Sequence, residues 1–221
     1  MRDSRAVAWG QRASALIKER LALRAVTGIE GLRLYQAHEK SRIGQLLQVT
    51  GMQASTPYWA YCWGGGLALA HHIGCHSDLV ANRRVLDLGA GSGLVGIAAF
   101  KAGASTVLAA ETDPLGRVAL GLNAHANAST ITLLDGDPTL GPPPPVDLIL
   151  AGDVFYAKDI ASTMLGWLAQ CRSAGIDVII GDPGRTDLPL SRLSVIARYA
   201  VGDFGVKSST DRPHAGVYGL D

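Results

Sequence analysis

The chain has 221 residues, of which 48% are hydrophobic and 18% charged, with a net charge of +1. That balance describes one globular domain long enough to bury a core, and it excludes a disordered chain or a strongly basic nucleic-acid binder. No apolar run reaches the roughly 18 residues that a membrane span needs.

Charge is unevenly placed: residues 1–45 hold nine lysines and arginines against four acids, and the remainder eleven against fifteen. A basic N-terminal part of this kind faces either an acidic partner or solvent. Its Arg-rich, amphipathic start has the look of a mitochondrial presequence, but Asp3 and Glu19 interrupt that pattern. Leu16, Ile17, Leu21 and Leu23 read instead as the buried side of a docked helix over 4–25. A less regular basic stretch follows to about residue 50, so that 1–50 forms an extension packed on a domain of 51–221. Three irregularly spaced cysteines, Cys62, Cys75 and Cys171, point to free thiols in a reducing compartment. The expected location is therefore a bacterial cytoplasm, with the mitochondrial matrix as the alternative.

An aromatic, glycine-rich loop is predicted over 57–66 (PYWAYCWGGG), then a helix from Leu67 to about Cys75. Short apolar runs suggest strands at Arg84–Leu88, Thr106–Ala110, Ile131–Leu134, Leu148–Ala151 and Asp177–Ile180. Helical patterns at 94–102, 115–127 and 158–172 separate them, the rhythm of a parallel sheet with helices on both faces. Pro142–Pro145 is a stiff surface connection. Val195–Val201 and Ala215–Leu220 complete seven strands as an antiparallel C-terminal pair. The expected architecture is α/β, a Rossmann-like, mostly parallel sheet.

The clearest chemical signal is Val85-Leu-Asp-Leu-Gly89-Ala90-Gly91-Ser-Gly93-Leu-Val-Gly96, a strand running into glycines and then a helix. Glycines there let a ligand approach the backbone at the carboxyl end of the strand. Gly91, Gly93 and Gly96 match the dinucleotide pattern. Two acids turn the reading away from a nicotinamide cofactor. Asp87 sits inside the strand, where it would oppose a pyrophosphate but suit a cofactor with a cationic amino-acid end. Glu111, at the end of the next strand, is placed to accept from both ribose hydroxyls. That combination is similar to S-adenosylmethionine-dependent methyltransferases. Gly89, Ala90, Gly91 and Gly93 would then cradle the cofactor, and Asp135 or Asp137, after the third strand, would meet the adenine; the sequence leaves that pair open.

Four stretches carry a closer resemblance: Pro57–Gly66, Leu88–Gly93, Gly152-Asp-Val-Phe-Tyr156 and Gly181-Asp-Pro-Gly-Arg185. In order and spacing they resemble the seven-strand protein lysine methyltransferases, above all those acting on the β-subunit of electron transfer flavoprotein. The resemblance implies S-adenosylmethionine as cofactor, a protein lysine as acceptor and that β-subunit as first-choice partner. A ribosomal protein or a small-molecule amine is the alternative acceptor, and a non-catalytic binding module is a further reading. It implies Asp153 as the group that orients the amine, Tyr156 as wall or hydrogen-bond partner, and Trp63 beside the cofactor. Trp59, Tyr61 and Phe155 would line the acceptor entrance, although Trp59 and Tyr61 serve equally as core aromatics. Asp153 could otherwise cap the helix starting near Lys158. Arg185 would bind an acidic patch of the substrate or bridge to Asp182 or Asp187. Asp-Val-Phe-Tyr lacks the two prolines of enzymes that methylate nucleobases or glutamine, which argues against a nucleic-acid acceptor. His71, His72, Cys75 and His76 have no second ligand cluster, and no metal is expected.

Overall fold

The computed structural model describes residues 2–54, 56–202 and 214–221. Its centre is set by strands buried on both faces, because helices cover each side of a parallel sheet. In order, the chain forms helix α1 (Arg2–Arg20), strands β1 (Ala22–Ala25) and β2 (Arg33–Gln36), and helices α2 (Ile43–Thr50) and α3 (Gly64–Cys75). The repeating part follows: β3 (Arg84–Leu88), α4 (Leu94–Lys101), β4 (Thr106–Ala110), α5 (Pro114–Ala126), β5 (Thr132–Leu133), β6 (Leu148–Gly152), α6 (Lys158–Ser173) and β7 (Asp177–Asp182). Two further strands, β8 (Leu193–Ala200) and β9 (His214–Leu220), close the sheet.

The seven-stranded sheet runs β5-β4-β3-β6-β7-β9-β8. β3 pairs in parallel with β4 and β6, and β6 with β7; β9 is antiparallel to both β7 and β8. Alternate residues of β6 go to opposite sides. Leu148 and Leu150 join Leu69, Ile73 and Ile97 of α3 and α4, whereas Ile149 and Ala151 join Trp167, Leu168 and Cys171 of α6. After β5 the chain returns to the other flank of β3, so strand order reverses between β3 and β6. A crevice at the carboxyl ends of the strands is expected at that reversal.

The seven strands and their three intervening helices follow the predicted order, with shifts at the ends. Three regions differ. The first helix stops at Arg20, and 22–25 instead forms a hairpin strand with 33–36. Gly28 and Gly31, with φ of 81° and 67°, sit in the intervening turn, a conformation other residues rarely adopt. The stretch read as irregular to residue 50 contains β2 and α2. Finally, Gly64–Gly66 are not loop but the first turn of α3. The reason is close packing on the sheet: a Cβ on Gly65 would run into the carbonyl of Gly181, and one on Gly181 into Gly65 and Leu69.

The N-terminal part packs on the rest through Ala13 and Ile17 of α1, Leu21 just after it, and Leu46 and Leu47 of α2. These meet Trp59, Leu115 and Ala119 in a third buried cluster.

Candidate active site

The glycine turn after β3 builds one end of the site. Gly89, Gly91 and Gly93 all have positive φ, and Gly93 opens α4. Asp87 is 2% exposed, and its Oδ2 accepts a 2.8 Å hydrogen bond from the Gly96 amide of the same turn. No arginine or lysine bonds to it among the described residues. Burial pushes its pKa up to about 7, aided by the nearby Glu111 and opposed by the Gly96 amide. Glu111, at the end of β4, accepts 2.7 Å bonds from the amides of Gly91 and Asp113. Burial likewise raises its pKa, while those amides pull it down. Asp113 caps α5 by accepting from the amides of Leu115 and Gly116.

The other end is built at β6 and β7. Asp153 follows β6 with φ of 60°, one of the few non-glycine residues in the left-handed region. That turn aims its carboxylate at the start of α3. Oδ1 accepts from the Gly65 amide at 3.1 Å, and Oδ2 from the Gly66 amide at 2.6 Å. Arg185 Nη1 donates to Oδ1 at 2.5 Å and to Asp182 Oδ2 at 3.3 Å. Burial still lifts the Asp153 pKa to about 6, against the lowering effects of Arg185 and the two amides. Asp153 thus caps a helix, but it is α3 and not the helix that follows it in sequence.

A cavity of about 440 Å³ joins the two ends. Of the residues singled out in the sequence it brings together Trp59, Tyr61, Trp63, Asp87, Gly89, Ala90, Gly91, Glu111, Asp137, Asp153, Tyr156 and Arg185. Gly93, Asp135 and Phe155 do not line it. The Asp135 side chain is fully exposed and 3.5 Å from Arg117. Asp137 reaches the cavity while accepting from the Thr139 amide and hydroxyl. Phe155 is 0% exposed in the core under α6, because the left-handed turn at Asp153 sends Val154 and Phe155 into that core. Trp59 is 2% exposed and packs under α1, so it forms part of the floor and not the mouth. Arg185 bridges Asp153 and Asp182, with no bond to Asp187 among those described.

The mouth is aromatic. The Tyr58 ring lies 5.2 Å from Tyr156 and 5.7 Å from Trp63, and Trp63 in turn 6.3 Å from Tyr61. Trp63 Nε1 donates to the Tyr58 carbonyl at 2.8 Å. Tyr58 and Tyr156 are 45% and 46% exposed, large rings at an opening. Sequence reasoning passed over Tyr58, although it lies in the quoted Pro57–Gly66 stretch. It also passed over the Gly65 and Gly66 amides, and Ile160 and Met164, which line the cavity from one face of α6. The i,i+4 spacing of the last two was the available signal.

None of His71, His72, Cys75 and His76 lines this cavity. His72 Nδ1 is 2.7 Å from the Tyr199 hydroxyl, and no group of three metal-ligating side chains occurs among the described residues.

A nucleotide-sized crevice at the reversal of a doubly wound sheet, with glycines beside a buried uncompensated acid, suits a cofactor that is cationic at its amino-acid end. The seven-stranded sheet with its antiparallel C-terminal pair is the Rossmann-like methyltransferase fold. The chain belongs to the lysine methyltransferase family, whose model matches residues 55–187. Among its relatives are the electron transfer flavoprotein beta subunit lysine methyltransferases of Rattus norvegicus and Xenopus laevis. The rat protein is 41% identical over 133 residues, 59% of this chain and 52% of its own length. The frog protein is 37% identical over 166 residues, 70% of this chain and 68% of its own. The chain thus spans about half the length of the rat relative. Solved structures share the fold. Protein PH1948 of Pyrococcus horikoshii superposes with a TM-score of 0.56 at 17% identity, over 75% of this chain and 90% of that one. Magnesium protoporphyrin IX methyltransferase of Synechocystis, solved with bound SAM, does so with 0.50 at 14%, over 71% and 78%.

Proposed function

We propose that the protein methylates a lysine ε-amine on the β-subunit of electron transfer flavoprotein. The observation that carries this is the cavity itself. A cofactor end defined by Asp87 and Glu111 opens into an amine-sized, aromatic-walled end defined by Asp153, Tyr156 and Trp63. The choice of acceptor is supported by the names of the relatives.

When bound, S-adenosylmethionine supplies a methyl group activated by its sulfonium. Asp87 would hold the cationic amino-acid end, Glu111 would accept from the ribose, and the glycine turn would leave room for both. Tyr58, Tyr156 and Trp63 would form an aromatic collar around the entering side chain. The amine arrives largely as ammonium, since a free lysine has a pKa near 10.4, and must first lose a proton to water. The neutral amine's lone pair would then be free to accept the methyl group that the sulfonium supplies. Asp153 fixes the nitrogen by accepting one of its N–H groups, and orientation of this kind is where much of the rate comes from.

The test is incubation of the purified protein with labelled S-adenosylmethionine and recombinant flavoprotein, read by intact mass of the β-subunit. Methyl increments are expected, and Asp153→Ala should abolish them while cofactor binding persists. A β-subunit of unchanged mass beside intact cofactor binding would remove this acceptor.

A further inference from the structure

Among the described residues, one cation lines the cavity, Arg185, against the carboxylates of Asp87, Glu111, Asp113, Asp137 and Asp153. The remaining ionisable groups on its walls are the hydroxyls of Tyr58, Tyr61 and Tyr156 and the Cys62 thiol, which burial pushes up to about 11. Such a lining creates a difficulty for amine chemistry. Carboxylates stabilise an ammonium ion, and an ammonium has no lone pair with which to attack. A lone Asp153 would orient the lysine and disarm it at the same time.

We propose that Arg185 resolves this conflict, acting as a positioning residue that lets Asp153 hold the amine in its neutral form. The inference rests on reading the cavity as a lysine methylation site. Three observations support it. The guanidinium stands 2.5 Å from Asp153 Oδ1, which also takes the Gly65 amide, so that oxygen has no acceptor position left. Oδ2 takes only the Gly66 amide and keeps one position for an N–H. The carboxylate therefore still accepts from an amine, but its charge is countered by a full cation and by the N-terminus of α3.

The guanidinium is also fixed. Asp182, 0% exposed at the end of β7, accepts 2.7 Å bonds from the amides of Gly184 and Arg185 and a 3.3 Å bond from Arg185 Nη1. The Trp63 ring covers the cation at 5.9 Å. Asp182 adds a negative charge of its own to the cluster, so removing Arg185 would leave two buried carboxylates without a side-chain cation bonded to either. Arginine cannot discharge by losing its proton in this pH range. The positive charge beside the amine is therefore permanent, and the amine's proton leaves at lower pH than it otherwise would.

The test compares Arg185→Gln, Arg185→Met and Arg185→Lys with the wild type, using the pH dependence of kcat/KM on the flavoprotein β-subunit between pH 6 and 10. Two neutral variants are made so that one folded example suffices, checked by circular dichroism and by calorimetric binding of S-adenosylmethionine. In the neutral variants the limb that reports amine deprotonation should move up by about one pH unit. That is a loss of about tenfold near pH 7 that closes at high pH. Arg185→Lys should keep the wild-type limb. A loss by the same factor at every pH, or an unmoved limb, would make Arg185 merely structural and overturn the proposal. A rise in KM alone would assign it to substrate docking. If the wild type leaves the β-subunit unmodified, the choice of acceptor has failed, and the same series is run on proteins labelled in whole lysate.

Discussion

At the scale of single residues, the site depends on acids held where water cannot fully serve them. Asp87 has the sharpest consequence. Its pKa of about 7 in the free protein means that it carries a proton much of the time at mildly acidic pH. A cationic ligand end favours the charged form, so binding must expel that proton. The sign follows directly: cofactor affinity should weaken as pH falls below 7, by up to about tenfold per unit. Calorimetry at pH 6.5 in buffers of different ionisation enthalpy should register proton release on binding, and Asp87→Asn should register none. Proton uptake would reverse the assignment. Asp87, Glu111 and Asp153 were legible in the sequence because each ends or interrupts an apolar strand, where an acid needs a reason. Phe155 was placed at the entrance by resemblance alone, and the chain, left-handed at Asp153, buries it in the core instead. The link between Arg185 and Asp153 joins positions 32 apart in the chain, and no local pattern announces it.

At the scale of elements, α3 shows how a helix can be written with three poor helix formers. Glycine costs roughly 1 kcal/mol against alanine in a helix interior. Here the first turn lies so close to β7 that a side chain does not fit at Gly65. The three positions are not equivalent. A Cβ on Gly65 would overlap the Gly181 carbonyl, whereas one on Gly66 would meet nothing nearer than 3.7 Å. Gly65→Ala should therefore cost about 2 kcal/mol or more by urea denaturation, the scale of overpacking, and Gly66→Ala less than 1 kcal/mol. Equal costs would mean that the packing argument is wrong. The sequence showed glycines and suggested a loop, since only a neighbour distant in the chain explains why a helix should need them. The strands β3, β4 and β6, by contrast, were legible because fully buried strands are short apolar runs whatever lies around them. The hairpin of β1 and β2 has four-residue strands with Leu34 alone fully buried, too short to leave a periodic trace.

At the scale of the whole molecule, the first 50 residues and the sheet domain share a core. Ile17 of α1 is 0% exposed against a cluster that includes Trp59, and Trp59 is also a wall of the 440 Å³ cavity. Ile17→Ala should cost about 2–5 kcal/mol of stability, the range for truncating a buried aliphatic. It should also weaken S-adenosylmethionine binding severalfold, although Ile17 does not line the cavity. Unfolding curves and calorimetry on the same variant check both; full affinity in a destabilised protein would uncouple the helix from the site. The basic N-terminal segment is thus attached to the rest by apolar packing, a role that its charge did not reveal and Leu16, Ile17 and Leu21 did; Leu23, read with them, is exposed on β1.

The order of the sheet has a consequence for how the chain reaches its native state. β9 lies between β7 and β8, so β8 is synthesised before β9, the one strand it pairs with among the described residues. Until β9 is inserted, β7 lacks its outer neighbour and β8, with Val195 and Ile196 half exposed even in the finished protein, has nothing to join. A nascent chain at that stage presents unpaired strand edges on both β7 and β8, and such edges are where partly folded chains stick to one another. The last-formed strand pair is therefore the point at which the newly made protein is most in need of shelter, and threading β9 home is the event that ends the need.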